Sequence, residues 1–296
     1  MLRLCLGTAQ FGLDYGISNE FGKIGHSSAQ EIVDLAIQND VRTFDTAPAY
    51  GDAEDVLGNA LPAHAASQIV TKTASLGNAT QIGDGELEQV RTRFSASLEK
   101  LGIGAVHGLL VHYCEDLFLP HGERLVETLQ SIQSEGLADK IGVSVYNAED
   151  IERVLALFQP DIVQLPLNLA DQRFSQNGYL RSLKRLGIEI HARSIFLQGL
   201  LLMAPSQLPG FFTPVKDQFV EIERMTRESG KLKACIGFLS NLPEVDFAVV
   251  GVTRAAELAE IVSAFEDGDS NAIDYSELAI ADERYLLPMN WPARKD

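Results

Sequence analysis

Cysteine is scarce in this chain of 296 residues, and the three present, Cys5, Cys114 and Cys235, lie far apart with no C-x-x-C spacing. That excludes a disulfide framework and a cysteine-based zinc motif. The six histidines are dispersed and no H-x-H opens the first apolar run, so no metal site is expected. Basic residues are few, 24 Lys and Arg against 41 Asp and Glu, for a formal charge of −17. A surface of that sign argues against general nucleic-acid binding, which needs basic contacts to phosphate, but leaves room for a local anion site. Long hydrophobic runs are missing too. "IFLQGLLLM" (Ile195 to Met203) falls well short of the roughly 20 residues of a bilayer span. The start, "MLRLCLGTAQFG", meets a glycine loop before any signal-peptide cleavage pattern. A cytoplasmic protein with neither membrane nor nucleic acid as partner is expected.

No Pro/Gly/Ser-rich linker divides the chain, since its 24 Gly and 11 Pro are scattered. With 46% hydrophobic residues there is ample material for one barrel-type domain, which commonly takes about 250 residues. Short apolar runs alternate with helical periodicity from end to end. The expected strands are Leu2 to Gly7, Arg42 to Asp45, Gln68 to Lys72, Val106 to His112, Lys140 to Ser144, Asp161 to Leu165, Ile188 to Ser194 and Phe247 to Gly251. Between them, Ser27 to Asp40 carries Ile32, Val33, Leu35 and Ala36 on one face. Gly85 to Gly102 repeats Leu87, Val90, Phe94 and Leu98 at three- and four-residue steps before a glycine cap. "NAEDIERVLAL" opens on an Asn N-cap and an acidic first turn. Eight such repeats predict a single (β/α)8 TIM barrel over residues 1–296. An open doubly wound sheet is the alternative, but no G-x-G-x-x-G follows the first strand.

Barrel active sites are built where strands end. Asp45 closes the second predicted strand, Lys72 the third and His112 the fourth, while Tyr50 lies in the loop after the second. Singly, each has an ordinary explanation: a turn former, a solvated lysine, a core histidine, a packing aromatic. Together they form a coherent proton-transfer set. Tyrosine is a poor acid, with an unperturbed pKa of about 10, and a nearby ammonium favours its phenolate. An aspartate would hold that ammonium, and a histidine would orient a substrate oxygen. A proton donor beside a carbonyl needs a hydride source to complete a reduction.

At these residues the sequence resembles the aldo-keto reductase family, over most of the chain. "DTAPAYG" (Asp45 to Gly51) looks like the family's D-T-A-x-x-Y-G, and "EDVLG" like its E-x-x-x-G continuation. The resemblance implies a barrel binding NAD(P)H and reducing aldehydes or ketones. Tyr50 would be the general acid, Lys72 and Asp45 would tune it, and His112 would orient the carbonyl. "GVSVYN" resembles G-V-S-N, giving Ser144 and the strand glutamine Gln164 to the nicotinamide carboxamide, with Val145 in place of the usual Asn and Asn168 just beyond. "SIFLQGLLL" resembles S-P-L-x-x-G-L-L and places Ser194, Phe196, Gln198 and Gly199 near the pyrophosphate. Arg193 stands where a ring-stacking Tyr is usual.

The adenosine end is implied around Gly251, Thr253, Arg254 and Glu257, with Ile261 replacing an adenine-binding Asn. Family habit favours NADPH; Glu257 opposes a 2′-phosphate and suits a free 2′-OH, so NADH is the alternative. "LDYGISN" resembles a bacterial branch often associated with surface-carbohydrate biosynthesis, which implies a sugar-like carbonyl substrate. Asp14 and Tyr15 would line that pocket or form a turn, and Phe211 and Phe212 would cover the substrate or pack on the barrel. Two competing readings are an aldolase-type barrel with Lys72 as Schiff-base amine, and a non-catalytic cofactor-binding regulator.

Overall fold

Short apolar stretches bounded by glycine and polar turns form the strands β1 (Arg3–Gly7), β2 (Thr43–Asp45), β3 (Gln68–Lys72), β4 (Val106–Val111), β5 (Ala138–Ser144), β6 (Ile162–Pro166), β7 (Glu189–Arg193) and β8 (Phe247–Gly251). They are seen in a computed structural model that describes residues 2–62, 66–267 and 274–292. Each strand pairs in parallel with the next, and β8 returns to β1 to close the barrel. The (β/α)8 expectation is met. Boundaries move little: β5 starts at Ala138, and β4 stops at Val111, leaving His112 as the first residue beyond it.

Parallel strands covered on both faces bury nearly all their side chains, and β6 is buried throughout. Inside the barrel, Val70, Leu110 and Ile162 form a separate apolar plug. A glycine makes room for it. A Cβ on Gly142 would lie 2.1 Å from the Ile162 carbonyl oxygen and 2.7 Å from Leu110 Cδ2. At the opposite end from the mouth, Glu189 accepts from Lys140 Nζ at 2.7 Å and lies 2.8 Å from His191 Nε2. Burial alone would raise the Glu189 carboxyl, but His107, His191 and Lys140 hold it well below the usual carboxylate range.

The helices follow their apolar periodicity. The helix His26–Gln38 buries Ala29, Ile32, Val33 and Ala36. The helix Asp84–Leu101 buries Val90, Phe94, Ser97 and Leu101 and ends at Gly102 in the left-handed conformation (φ 66°). Leu87 and Leu98 are only partly buried, at the edge of its apolar stripe. Asn147 does precede the helix Ala148–Leu157, yet its side chain makes no cap hydrogen bond. Its Oδ1 accepts from Arg173 Nη1 at 3.3 Å instead. The segment after β7 folds into short 3-10 turns, Pro205–Gln207 and Gly210–Val215, before the helices Lys216–Met225 and Lys231–Ser240. Phe212 is fully buried there, with its ring centre 5.2 Å from that of Phe211 and 5.2 Å from that of Trp291. The two phenylalanines therefore pack on the protein. No helix among the described residues is long and apolar enough to cross a membrane.

Candidate active site

The ends of β2, β3 and β6 meet in one buried polar cluster. Lys72 Nζ donates to Asp45 Oδ1 at 2.7 Å, to Asp45 Oδ2 at 2.8 Å and to the Thr46 carbonyl at 3.0 Å. Gln164 Nε2 donates to Asp45 Oδ2 at 2.7 Å. Lys72 is 1% exposed and Asp45 3%, so the ammonium has exchanged water for three oxygen acceptors and a full counter-charge. That is the condition under which a buried charge is tolerated.

Tyr50 is presented above this pair by a tight loop in which its N–H bonds the Ala47 carbonyl at 3.0 Å and its own carbonyl accepts from Ala53 N at 3.1 Å. Lys72 Nζ lies 5.1 Å from the centre of the Tyr50 ring. Burial and then the Asp45 carboxylate push the phenol well above its ordinary value, with Arg193 opposing them. The net shift is upward where a lowering by Lys72 is expected, and the ammonium is turned to Asp45 and Thr46. His112 meets Tyr50 edge to face, with ring centroids 5.8 Å apart at 88°. Burial, then the charges of Lys72 and Arg193, lower the His112 imidazole to about 3. It is neutral near pH 7 and can donate only one hydrogen bond. Its Nδ1 is buried without a partner among the described residues, and the residue lines the cleft.

A cleft of about 350 Å³ runs from Asp45, Tyr50 and His112 past Ser144, Gln164 and Arg193 to Thr253, Glu257 and Ile261. Ser144 and Gln164 are direct neighbours in the β5–β6 register. Arg193, one strand further on, donates through Nη2 to the Val145 carbonyl at 3.0 Å and stacks on the Tyr146 ring at 4.0 Å. Ser194, Leu197, Gln198 and Gly199 all have positive φ, so the chain coils tightly over the cleft edge. Gly199 (φ 92°) meets the loop after β1: a Cβ there would sit 1.7 Å from Ser18 Oγ. Ser18 Oγ donates to the Gln198 carbonyl at 3.2 Å, and Gln198 Nε2 reaches the Tyr15 hydroxyl at 3.2 Å. Ser194, Phe196, Gln198, Gly199 and Gly251 line the cleft.

At the far end Glu257 turns back on the helix Ala255–Asp267. It accepts from Thr253 N at 2.8 Å, Thr253 Oγ1 at 3.0 Å, and Arg254 Nε and Nη2 at 3.1 Å. Arg254 also stacks on the exposed Phe21 ring at 4.7 Å and does not line the cleft. An elongated ligand with an aromatic amide at one end and a ribose at the other fits these residues. One polar group points to such an occupant: Gln10 Oε1 is buried beside Gly251 without a hydrogen-bond partner among the described residues.

Not every expected residue joins the site. Asn168 staples its own loop, donating to the Ser194 carbonyl and accepting from Ala170 N and Asp171 N. Tyr15 lines the cleft but Asp14 does not. Sequence reasoning missed Gln10, Phe21 and Tyr146, although Gln10 sits in "LGTAQFG" and Tyr146 in "GVSVYN". It also treated Cys114 as isolated. Cys114, Glu115 and Asp150 bring donor atoms within 4.8 Å of one another, outside the cleft, where burial and the two carboxylates push the thiol up.

Known proteins share both the sequence pattern and the fold. The model of the Aldo/keto reductase family matches residues 3–282. A curated NADH-specific methylglyoxal reductase from Escherichia coli is 31% identical over 180 residues, 54% of each chain. An aldo-keto reductase from Mycolicibacterium smegmatis is 30% identical over 50% of this chain and 51% of its own. The chain thus spans about half the length of these curated relatives. Among solved structures, an aldo-keto reductase from Bacillus halodurans in its holo form superposes with TM-score 0.73 at 18% identity, covering 97% of this chain and 94% of that one. A glycerol dehydrogenase from Gluconobacter oxydans gives TM-score 0.69 at 18% identity over 99% and 94%. At those identities the likeness is one of fold.

Proposed function

The chain belongs to the aldo/keto reductase family, and on that premise we propose that it reduces the carbonyl of an aldehyde or ketone with a nicotinamide cofactor. The observation that carries this reading is the Tyr50 phenol meeting the His112 ring edge to face above the buried Asp45–Lys72 pair, at one end of a cleft that reaches Glu257. A bound dihydronicotinamide supplies the hydride. Tyr50 gives its proton to the carbonyl oxygen, and His112 donates a hydrogen bond that fixes that oxygen. Ser144 and the side-chain oxygen of Gln164 would hold the carboxamide, while the amide nitrogen of Gln164 keeps Asp45 in place. Lys72 and Asp45 set the electrostatics beneath the phenol. Because Lys72 already donates to three acceptors, the Schiff-base alternative has no free amine.

NADPH has family habit behind it, but the geometry favours NADH. Glu257 occupies Thr253 N–H and Arg254, the two groups a 2′-phosphate would need, and presents a carboxylate to a ribose 2′-OH. The NADH-specific E. coli relative agrees. A sugar-like substrate suits a mouth lined by Tyr15, Tyr146 and Gln198, two aromatic rings and an amide.

The test is NADH and NADPH oxidation on a panel of aldehydes, ketones and free sugars, with wild type and Tyr50→Phe. Calorimetric titration of each cofactor accompanies it. Turnover lost at least a thousandfold with cofactor binding kept is the expected result. Unchanged turnover in the variant removes Tyr50 from its role. Cofactor binding by the wild type without turnover on any carbonyl favours the regulatory reading.

A further inference from the structure

Arg193 is a cation without a counter-ion. Among the described residues it makes a hydrogen bond to the Val145 carbonyl, a long one to Ser194 Oγ at 3.5 Å, and the stack on Tyr146, but no ion pair. It cannot shed its charge, since guanidinium stays protonated in proteins. Nor is it free to swing away: the Val145 bond and the Tyr146 ring hold its plane in place. Its strand neighbours fix what lies beside it. Pro166 faces Arg193 across the β6–β7 ladder, Gln164 lies two residues earlier on β6, and Ser144 pairs with Gln164. Arg193 therefore ends β7, and its guanidinium reaches back toward the ends of β5 and β6, the two strands that offer Ser144 and Gln164 to a carboxamide. Its charge is felt across the mouth, where it opposes the upward shift of Tyr50 and adds to the downward shift of His112.

We propose that Arg193 makes the site discriminate between the two redox forms of the nicotinamide, binding the reduced form and repelling the oxidised one, so that the protein is built for reduction. This rests on the carbonyl-reductase reading above. In the reduction, the carbonyl carbon gains one hydrogen and two electrons from the dihydropyridine, and the oxygen gains a proton from Tyr50. The ring that gave the hydride is left as a pyridinium with a full positive charge. The neutral ring sits beside a guanidinium without penalty, but the pyridinium meets a like charge in a partly dry cleft, where screening is weak. Product cofactor is thus pushed out as it forms, and the reverse reaction starts from the weakly bound form.

The experiment is calorimetric titration of wild type, Arg193→Gln, Arg193→Tyr and Arg193→Lys with NADH and NAD+ under identical conditions, with circular dichroism on each variant to verify folding. The quantity read is the ratio of the two dissociation constants, which general damage to the site leaves unchanged. Wild type should hold NADH at least tenfold more tightly than NAD+. The neutral variants should bring the ratio below threefold, chiefly by tighter NAD+ binding, and the lysine variant should keep most of it. Equal affinity of wild type for both forms overturns the inference while leaving the carbonyl-reductase reading intact. A ratio unchanged in both folded neutral variants overturns it as well. No binding of either form to wild type removes the reductase reading itself, and this inference with it.

Discussion

The Lys72 ammonium lies 2.7 and 2.8 Å from the two carboxylate oxygens of Asp45, with both side chains buried. Such a pair is worth little as a pair but costs much to break, because the partner left behind is a charge without water. Asp45→Asn is expected to destabilise the fold by about 3–5 kcal/mol. The double variant Asp45→Asn with Lys72→Met should recover most of that loss. Urea unfolding of the three proteins measures it. A single variant as stable as wild type would show that the Thr46 carbonyl and a neutral residue at 45 suffice to hold the lysine.

His112 carries a pH signature. Its imidazole is lowered from 6.5 to about 3 by burial, Lys72 and Arg193. Between those values the unfolded chain binds a proton that the folded chain refuses, so folded stability rises with pH across the interval. The contribution is complete above about pH 6.5 and is lost as pH falls toward 3. His112→Gln removes that titration. The stability gap between wild type and His112→Gln should therefore be larger at the acid end in favour of the variant, relative to neutral pH, by urea midpoints taken every half unit. Parallel curves contradict the assignment. By the same reasoning kcat/KM for carbonyl reduction should be flat from about pH 5 to about pH 9 in wild type, since His112 is already neutral and Tyr50 is pushed up rather than down.

Much of this site was legible because β/α rhythm and strand ends are short-range signals. The run "RTFD" and the run "QIVTK" place Asp45 and Lys72 at strand termini before any tertiary contact is known, and the parallel register then puts them together. What failed to show was direction. The sequence puts an ammonium near Tyr50 but not whether it faces the phenol or the carboxylate, and only the first would lower the phenol strongly. Gln164 was read as a carboxamide ligand, yet its amide nitrogen is bound to Asp45, 119 positions away. Gln10 was invisible for another reason: its significance lies in a missing partner, which no spacing encodes. The paired Phe211 and Phe212 are ambiguous in sequence, and only Tyr285 and Trp291 from the C-terminal segment decide that they pack.

Gly199 tests the coil over the cleft edge. Its φ of 92° and the 1.7 Å that would separate a Cβ from Ser18 Oγ act independently. A non-glycine residue held in left-handed backbone costs about 1–2 kcal/mol, and the clash adds displacement of Ser18 from the Gln198 carbonyl. Gly199→Ala should weaken NADH binding about tenfold, which is about 1.4 kcal/mol. Adding Ser18→Gly relieves the clash, because Ser18 Cβ would itself lie 2.6 Å from the new Cβ, but not the backbone strain, so the double variant should regain only part of the affinity. Full recovery would mean the strain is absorbed elsewhere in the loop.

The proposed preference for NADH rests on Glu257. Its carboxylate holds Thr253 N–H, Thr253 Oγ1 and the Arg254 guanidinium at 2.8 to 3.1 Å, so the helix start and the local cation face inward to Glu257. A 2′-phosphate arriving there meets a like charge and finds both donors taken, whereas a ribose hydroxyl can donate to the carboxylate. Glu257→Gln removes the negative charge, weakens the hold on Arg254 and returns the helix N-terminus to its usual preference for phosphate. The variant should bind NADPH at least tenfold more tightly than wild type does, while NADH loses affinity only a few-fold. Both groups are partly open to solvent, with side-chain exposures of 31% for Glu257 and 57% for Arg254, so the NADPH gain should shrink as salt screens it. Calorimetric titration of both cofactors at low and high ionic strength reads all three effects. A variant that still prefers NADH by the wild-type margin would mean that the ribose is recognised elsewhere in the cleft, and would leave Glu257 the role of a helix cap.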